Sequence, residues 1–363
     1  MLGIDLELKT PAGALIIGGG TPVYLGKHAR EVWLKLVAWL AKQGCEVHVV
    51  QESCGFGWEF HRQLETAGAQ SVVVAPEEIG GKRKTDKRDA STLATLLWDC
   101  QVRGNQKALR LVRVPSVAEQ ERRGYHRARE QWVRMRARLE AQGRSLMWDH
   151  GWLEVPRGWW KPGLWKELCA QLCAAHKQWL VSLLRTIQST CLDMQSTIEE
   201  LKAQVIAQQK AVPARAVSAQ KPALRTAATT PLLPKGLGEL SYAVLNAEVV
   251  DWKRFNNRGQ AGSFIGCCPS ERSSGSRQKL GEIDRMGNAR LRTTLVEAVW
   301  RLRKHNAQWR GLKKFAEVLG PEAKASGARK RKAVVACARL LMIDLWRLHV
   351  GTATLEGLGL KPA

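Results

Sequence analysis

Apolar positions fall in short runs over the first hundred residues and at helical spacing beyond them. Leu2 to Leu8 reads as an apolar strand with acids set into it, and a turn at Pro11-Ala12-Gly13 leads to a second strand, Ala14 to Ile17. Gly18-Gly19-Gly20 turns the chain into a third, Pro22 to Leu25. Three strands so closely spaced predict an antiparallel meander. Val32, Leu36, Val37 and Leu40 then share one face of a helix over about Ala29 to Gln43, closed by Gly44. Glu46 to Gln51 is a buried-type strand that delivers Glu52 at its end. Gly55 and Gly57 allow a tight turn into a helix from Trp58, and Ser71 to Ala75 is a further short strand stopped by Pro76. Turn residues from Pro76 to Lys84 lead into a helix rich in Ala, Leu and Thr.

Three strands, helix, strand, helix, strand and helix is the order of a ribonuclease-H-like fold, a hairpin pair followed by parallel strands with crossover helices. In such a sheet, sites form at the carboxyl ends of the parallel strands. Asp5 in the first strand, Glu52 ending the fourth, and Asp86 with Asp89 on the following helix are then expected to converge. Asp86 and Asp89 are three apart and project from one helical face. Like charges that close repel unless a cation lies between them, and carboxylate oxygens are the ligands Mg2+ prefers. With two Mg2+ ions such a group makes a phosphoryl-transfer site. Alone, the pair of aspartates also fits an ordinary helix start, where acids complement the macrodipole.

Val117 to Met147 reads as one long helix with eight arginines, at 122, 123, 127, 129, 134, 136, 138 and 144, and a thin apolar seam of Val133, Leu139 and Leu146. Glu121, Glu130 and Glu140 are the acids set against those arginines. The imbalance favours a phosphate-tracking surface over a merely solvated helix. A Trp-rich break at Asp149 to Gly163 leads to a second long helix, about Leu164 to Lys210, with the length and seam of a coiled-coil arm. Pro213 and Pro222 mark a linker, and Pro234-Lys235-Gly236-Leu237-Gly238 opens a helix from about Glu239 to Glu248. Later helices carry Val296, Val299 and Leu302, then Val334 to Leu348. Lys324, Arg329, Lys330, Arg331 and Lys332 crowd the start of the last one, where the macrodipole disfavours cations, so phosphate contact is the preferred reason for them.

Charge narrows the class. The 363 residues carry 57 Lys plus Arg against 33 Asp plus Glu, a formal net charge of +24, which implies a polyanionic partner, nucleic acid above all. No apolar run approaches the roughly 20 residues of a membrane span, and the first residues lack the pattern of a signal peptide. The nine cysteines form no C-x-x-C pair, so neither a zinc site nor a disulfide framework is indicated and reduced thiols in the cytosol are expected. Most of the fifteen tryptophans belong in cores or helix seams, with a minority free to stack on bases.

One stretch breaks the helical pattern, Ser270 to Gly281, a polar loop of small residues and cations closed by Met286-Gly287-Asn288-Ala289-Arg290-Leu291-Arg292. A serine on a glycine loop flanked by Arg272, Arg277, Lys279, Arg290 and Arg292 suits attack on a phosphodiester, since the cations stabilise charge building on phosphorus. From composition alone, a phosphate-binding loop without covalent chemistry is the preferred reading.

Gly3-Ile4-Asp5, Gln51-Glu52-Ser53-Cys54-Gly55 and Lys84-Thr85-Asp86-Lys87-Arg88-Asp89-Ala90 together resemble the Asp-Glu-Asp-Asp set of the RuvC-like "DEDD" transposases of the bacterial insertion-sequence one-ten and eleven-eleven families. The C-terminal Gly-x-x-Pro, Ser-Gly and Gly-Asn-x-x-Leu-Arg elements match that family's transposase domain in order and spacing. Cys267-Cys268 and Asp284 depart from it, standing where aliphatic and Ser or Thr residues are usual.

The resemblance implies an α/β plus α architecture: a RuvC-like catalytic domain at 1–105, a basic helical coiled-coil region at 106–212, a linker at 213–230 and a mostly helical serine transposase domain at 231–363. It implies that Asp5, Glu52, Asp86 and Asp89 hold Mg2+ and that Ser274 is the nucleophile, with Ser273 adjacent and Ser270 a distant alternative. The product is a transient phosphoserine link to DNA. Lys84, Arg88, Arg127, Arg134, Arg138, Arg254, Arg272, Arg277, Lys279, Arg290, Arg292 and Arg331 are the expected nucleic-acid contacts. The implied partners are DNA, a structured non-coding guide RNA and further copies of the chain, as a dimer or tetramer whose subunits share each site, in the bacterial cytosol at the nucleoid. A junction nuclease without a covalent intermediate, and a non-enzymatic nucleic-acid binder, are the rival readings.

Overall fold

A computed structural model describes residues 1–75, 85–211, 233–271 and 280–363, and its chain divides into two compact units, Met1–Val117 and Ala118–Ala363. The first unit is a five-stranded mixed sheet with helices. Its elements are β1 (Leu2–Asp5), β2 (Ala12–Leu15), β3 (Val23–Lys27), α1 (Arg30–Lys42), β4 (Val47–Glu52), α2 (Gly57–Thr66), β5 (Ala69–Val74) and α3 (Asp86–Gln101). Strand order is β3-β2-β1-β4-β5; β1, β2 and β3 pair antiparallel, and β1, β4 and β5 pair parallel. The expected meander with two added parallel strands is therefore present.

The second strand starts earlier than its pattern predicts. Gly13, read as a turn, lies inside β2 because Trp33 of α1 packs against it: a Cβ there would meet the indole ring at 2.3 Å. The Trp33 Nε1–H donates to the Pro11 carbonyl at 3.0 Å and fixes the ring. Leu2, Ile4, Trp33, Val37, Val49, Phe60 and Leu64 form the core on this side of the sheet. The other side packs under α3, through Val50 with Leu93 and Leu97, and through Ala12 and Ala14 with Ala90 and Ala94.

The second unit opens with α4 (Val117–Asp149), α5 (Pro162–Ala174) and α6 (Gln178–Ala211). The pattern predicted one helix where α5 and α6 stand. The break is a Schellman turn: Lys177 N–H bonds to Leu172 O at 2.8 Å and His176 N–H to Cys173 O at 3.0 Å. His176 supplies the left-handed residue, φ +59°, that such a turn usually takes from glycine. Met147, Trp159, Trp160, Leu168, Leu172, Leu180 and Leu184 share one core at this end of the helices. Trp159 lies against Gly143, where a Cβ would approach its ring to 2.2 Å, and donates to the Glu140 carbonyl at 3.1 Å. Trp160 Nε1 and Gly158 N–H donate to the Glu140 carboxylate at 3.1 and 2.7 Å.

Then follow α7 (Glu239–Val249), α8 (Arg258–Ser263), β6 (Pro269–Glu271), β7 (Leu280–Ile283), α9 (Ala289–His305), α10 (Arg310–Lys314), α11 (Ala316–Leu319) and α12 (Gly327–His349). Their core includes Leu245, Leu291, Leu295, Leu302, Trp309, Leu341 and Leu345. β6 and β7 pair antiparallel, so two short strands flank residues 272–279 where the pattern showed only a loop in a helical region.

Candidate functional site

Three packing facts bring the N-terminal acids to one end of one face. A Cβ at Gly3 would lie 2.3 Å from the Ala90 carbonyl and 2.4 Å from the Ala94 nitrogen, so α3 rests its backbone directly on β1 and only glycine fits between. Side chains alternate across a strand, and so Asp5, two residues on, faces the same side as Gly3. Ile4 pairs with Gln51, which sets Asp5 beside Glu52 on the neighbouring parallel strand. Glu52 shares the face of Val50, under α3, and lines a small pocket with Val74, Thr92, Leu93 and Leu96. Asp86 and Asp89 lie in the first turn of α3, Asp86 one helical turn before the contact at Ala90 and Asp89 directly before it.

Two basic and acidic neighbours join this end that the sequence pattern did not single out. Asp5 pairs with Ala12 and Ala12 with Lys27, giving one row across β1, β2 and β3. The Lys27 ammonium lies 2.6 Å from Asp86 Oδ2 and 2.8 Å from Glu7 Oε1. Its bond to Asp86, then that to Glu7, raises the lysine pKa above its ordinary value. Asp86, Glu7 and Lys27 are half-exposed, whereas Asp89 is buried. Asp5 and Glu52 have polar partners as well.

Among the described residues no three His, Cys, Asp or Glu side chains stand close enough together to hold a metal ion. The donor set itself suits Mg2+: its oxygens are hard carboxylates, and an ammonium stands as the cation between two acids at this end. If Mg2+ binds here, Asp5, Glu52, Asp86 and Asp89 are the residues that would hold it.

The second candidate region lies around residues 272–279. Ser274, Ser273, Arg272, Arg277 and Lys279 lie outside the described residues, as do Lys84 and the linker at 213–230. The frame on either side is tightly built. Gly266 and Gly287 stack backbone on backbone, a Cβ at Gly287 falling 2.2 Å from the Gly266 nitrogen. Asn288 N–H donates to Phe264 O at 2.9 Å, and its side-chain oxygen caps α9 by accepting from Arg290 and Leu291 N–H at 3.0 and 3.1 Å. The Asp284 carboxylate accepts from Met286 N–H at 3.1 Å.

Behind that frame sits Glu248, 2% exposed. Arg127 grips it with two bonds, Nε at 3.0 Å and Nη2 at 3.1 Å, and Asn288 Nδ2 donates at 2.8 Å. The buried His126 ring nitrogen is 3.1 Å away, although off the line of a well-aligned N–H bond. Burial alone would raise the Glu248 pKa; the contacts of His126, Arg127 and Asn288 outweigh it and hold the group well below the ordinary carboxylate range. Arg123 donates to the Ala247 and Glu248 carbonyls at 3.1 and 3.3 Å.

Several expected nucleic-acid contacts are thereby engaged inside the protein. Arg127 is on Glu248, Arg290 Nε is 2.7 Å from Glu130, Arg134 pairs with the same Glu130, and Arg292 donates to Ile265 O at 2.8 Å. Exposed cations are Arg138 on α4, Arg331 on α12, and Arg254, whose guanidinium also lies 5.1 Å from the Phe264 ring centre; Arg88 on α3 is half-buried. Setting only Glu121, Glu130 and Glu140 against the arginines of α4 leaves out Glu119 in its own first turn, and Glu248, which is 121 residues away from Arg127 in sequence.

Residues 234–314, which contain this frame, match the family model described as Transposase IS116/IS110/IS902 family. The chain is a DNA transposase, similar over these residues to that family. The match covers α7 to α10 and includes Glu248, Asn288 and Arg290. The transposase is 28% identical over 324 residues to y4rJ of Sinorhizobium fredii, which carries a transposase name; the alignment covers 86% of this chain and 79% of that one. It is 24% identical over 315 residues to the transposase for insertion sequence element IS1111A of Coxiella burnetii, across 84% of this chain and 78% of the relative. No helix among the described residues of the transposase is long and apolar enough to cross a membrane.

Proposed function

We propose that this transposase cuts and rejoins DNA at the ends of its insertion sequence through two cooperating sites, one of acids and one of serine. The observation that supports the acid site is the seating of α3 on Gly3, which brings Asp86 and Asp89 to the end of β1 where Asp5 adjoins Glu52. Asp5, Glu52, Asp86 and Asp89 would hold Mg2+, which would supply charge neutralisation at the scissile phosphate. The Ser274 hydroxyl attacks phosphorus, its Oγ–P bond forms as the P–O bond to the departing strand breaks, and the departing oxygen takes up the serine proton. An incoming strand hydroxyl reverses the step, so the bond energy is kept for rejoining and no external source is needed.

The excess of positive charge supports DNA and a structured RNA as partners, with the RNA choosing the target. The RuvC-like fold of the first unit, a coiled-coil arm from α4 to α6, assembly as a dimer or tetramer, and residence in the cytosol with the nucleoid belong to the same reading.

The test begins with the full chain expressed beside its native flanking DNA and sequencing of the nucleic acid that copurifies in high salt. A single discrete RNA from the flank supports guidance and allows DNA substrates to be designed. On those substrates a protein–DNA adduct that survives denaturation is expected, and it should vanish in Ser274→Ala. Strand cutting that persists in Ser274→Ala would instead favour a nuclease using water. Cutting unaffected by Asp5→Asn and Asp86→Asn would remove the acid site.

A further inference from the structure

Lys27 ends the edge strand β3 and shares a sheet row with Ala12 and Asp5. Residues paired across neighbouring strands lie on one face, so Lys27 and Asp5 both stand on the α3 side. Between them is Ala12, fully buried and with no side chain beyond Cβ to keep them apart. From that row the lysine reaches the first turn of α3 and bonds to Asp86, and it bonds to Glu7 on the chain just beyond Asp5. An ordinary surface ion pair joins one cation to one acid and contributes little. This one joins two acids from different segments, and one of them belongs to the group assigned above to Mg2+.

We propose that Lys27 is a tethered counter-cation of the acid site, which holds Asp86 while the site lacks a divalent ion and yields it when one binds. The inference rests on the acid-site reading given under Proposed function. Its physical basis is competition for one carboxylate. Asp86 next to an ammonium is already neutralised, so an incoming divalent ion gains less from it than from a bare acid. Glu7 keeps a partner for the ammonium after release, which lowers the cost of letting Asp86 go. Lys27 thereby sets the metal concentration at which the site fills, and makes occupancy dependent on ionic strength.

The experiment follows Mn2+ binding to the full chain by the loss of the free-ion electron paramagnetic signal, in wild type, Lys27→Met, Asp86→Asn and the double variant. Lys27→Gln serves as a second replacement, and circular dichroism checks the fold of each. At low salt the single Lys27 variants are expected to bind Mn2+ roughly 5- to 10-fold more tightly than wild type. On the Asp86→Asn background Lys27→Met should have no further effect, because the lysine acts through that carboxylate. Equal or weaker Mn2+ binding by both Lys27 variants overturns the role of Lys27, and so does an equal gain without Asp86. If Asp5→Asn abolishes Mn2+ binding while the Lys27 variants are silent, the acid site stands and only the lysine's part fails. If neither Asp5→Asn nor Asp86→Asn changes Mn2+ binding, both fall together.

Discussion

Asp86 and Glu248 are both carboxylates held by basic side chains, and the difference between them is one of exchange. Glu248 is almost sealed from solvent and takes bonds from α4 and from the cap of α9 at once. No partner can leave without stranding a buried charge. Asp86 sits on an exposed helix start with a lysine at the end of a long flexible stem. Its partner can leave into water. The contrast teaches that a carboxylate's availability for ligands is decided by how many donors it has and how dry they are, and spacing along the chain reports neither.

The comparison is broken most forcefully at Glu248. Glu248→Leu leaves the buried His126 and the half-exposed Arg127 without their acid, so a loss of about 1–3 kcal/mol in the second unit is expected. Denaturant unfolding monitored by tryptophan fluorescence would reveal it, and a loss under about 1 kcal/mol would mean the network relaxes freely. Asp86→Asn tests the other side. Folding should be unchanged while strand cutting falls roughly 10²–10³-fold, the scale of losing one charge-stabilising group at a reacting centre. A stability loss as large as the one at Glu248 would put Asp86 in the same structural class.

Gly3→Ala sharpens the geometry. The Cβ has no space beneath Ala90, and overpacking of this kind costs about 1–3 kcal/mol. Because α3 must lift, activity should drop even where the protein stays folded, and amide exchange in α3 should accelerate.

Acidification gives a smaller, graded effect. Burial lowers the pKa of His61 and His349 from 6.5, so the folded chain resists protonation that the unfolded chain accepts. Stability is therefore full above about 6.5 and declines as pH falls below it. Glu248, lowered from 4.5, adds a steeper decline below that value, absent in Glu248→Gln. Thermal midpoints measured from pH 8 to 2 would show both limbs. The smallest effect is expected at Arg103→Ala, which removes an exposed pair with Asp99 one turn away and should alter stability by under about 0.5 kcal/mol.

How far the sequence could be read follows from where each signal lies. Strand runs in the first unit were plain because hydrophobic period and turn residues agree there. The start of β2 slipped because Gly13 serves Trp33 rather than a turn, and that fact exists only once α1 has packed. The division of α5 from α6 was invisible since His176, not glycine, takes the left-handed position. β6 and β7 are too short, three and four residues, for alternation to register. The acids at 5, 52, 86 and 89 were legible as candidates because motif spacing survives in one dimension. Lys27 and Glu248 were not, since their partners come from segments 59 and 121 residues away and no local pattern encodes them.

The grip of α4 on Glu248 also bears on how the molecule can be cut into pieces. Residues 234–314 carry the family match, yet Arg123, His126 and Arg127 that satisfy Glu248 lie more than a hundred residues upstream of it. Expressed alone, that segment would keep the Asn288 bond to its most buried acid and lose the bonds that Arg127 makes to it. The stretch recognisable as an inheritance unit is thus not an autonomous folding unit. Insertions, splits or domain grafts made at its borders will succeed only where α4 travels with it.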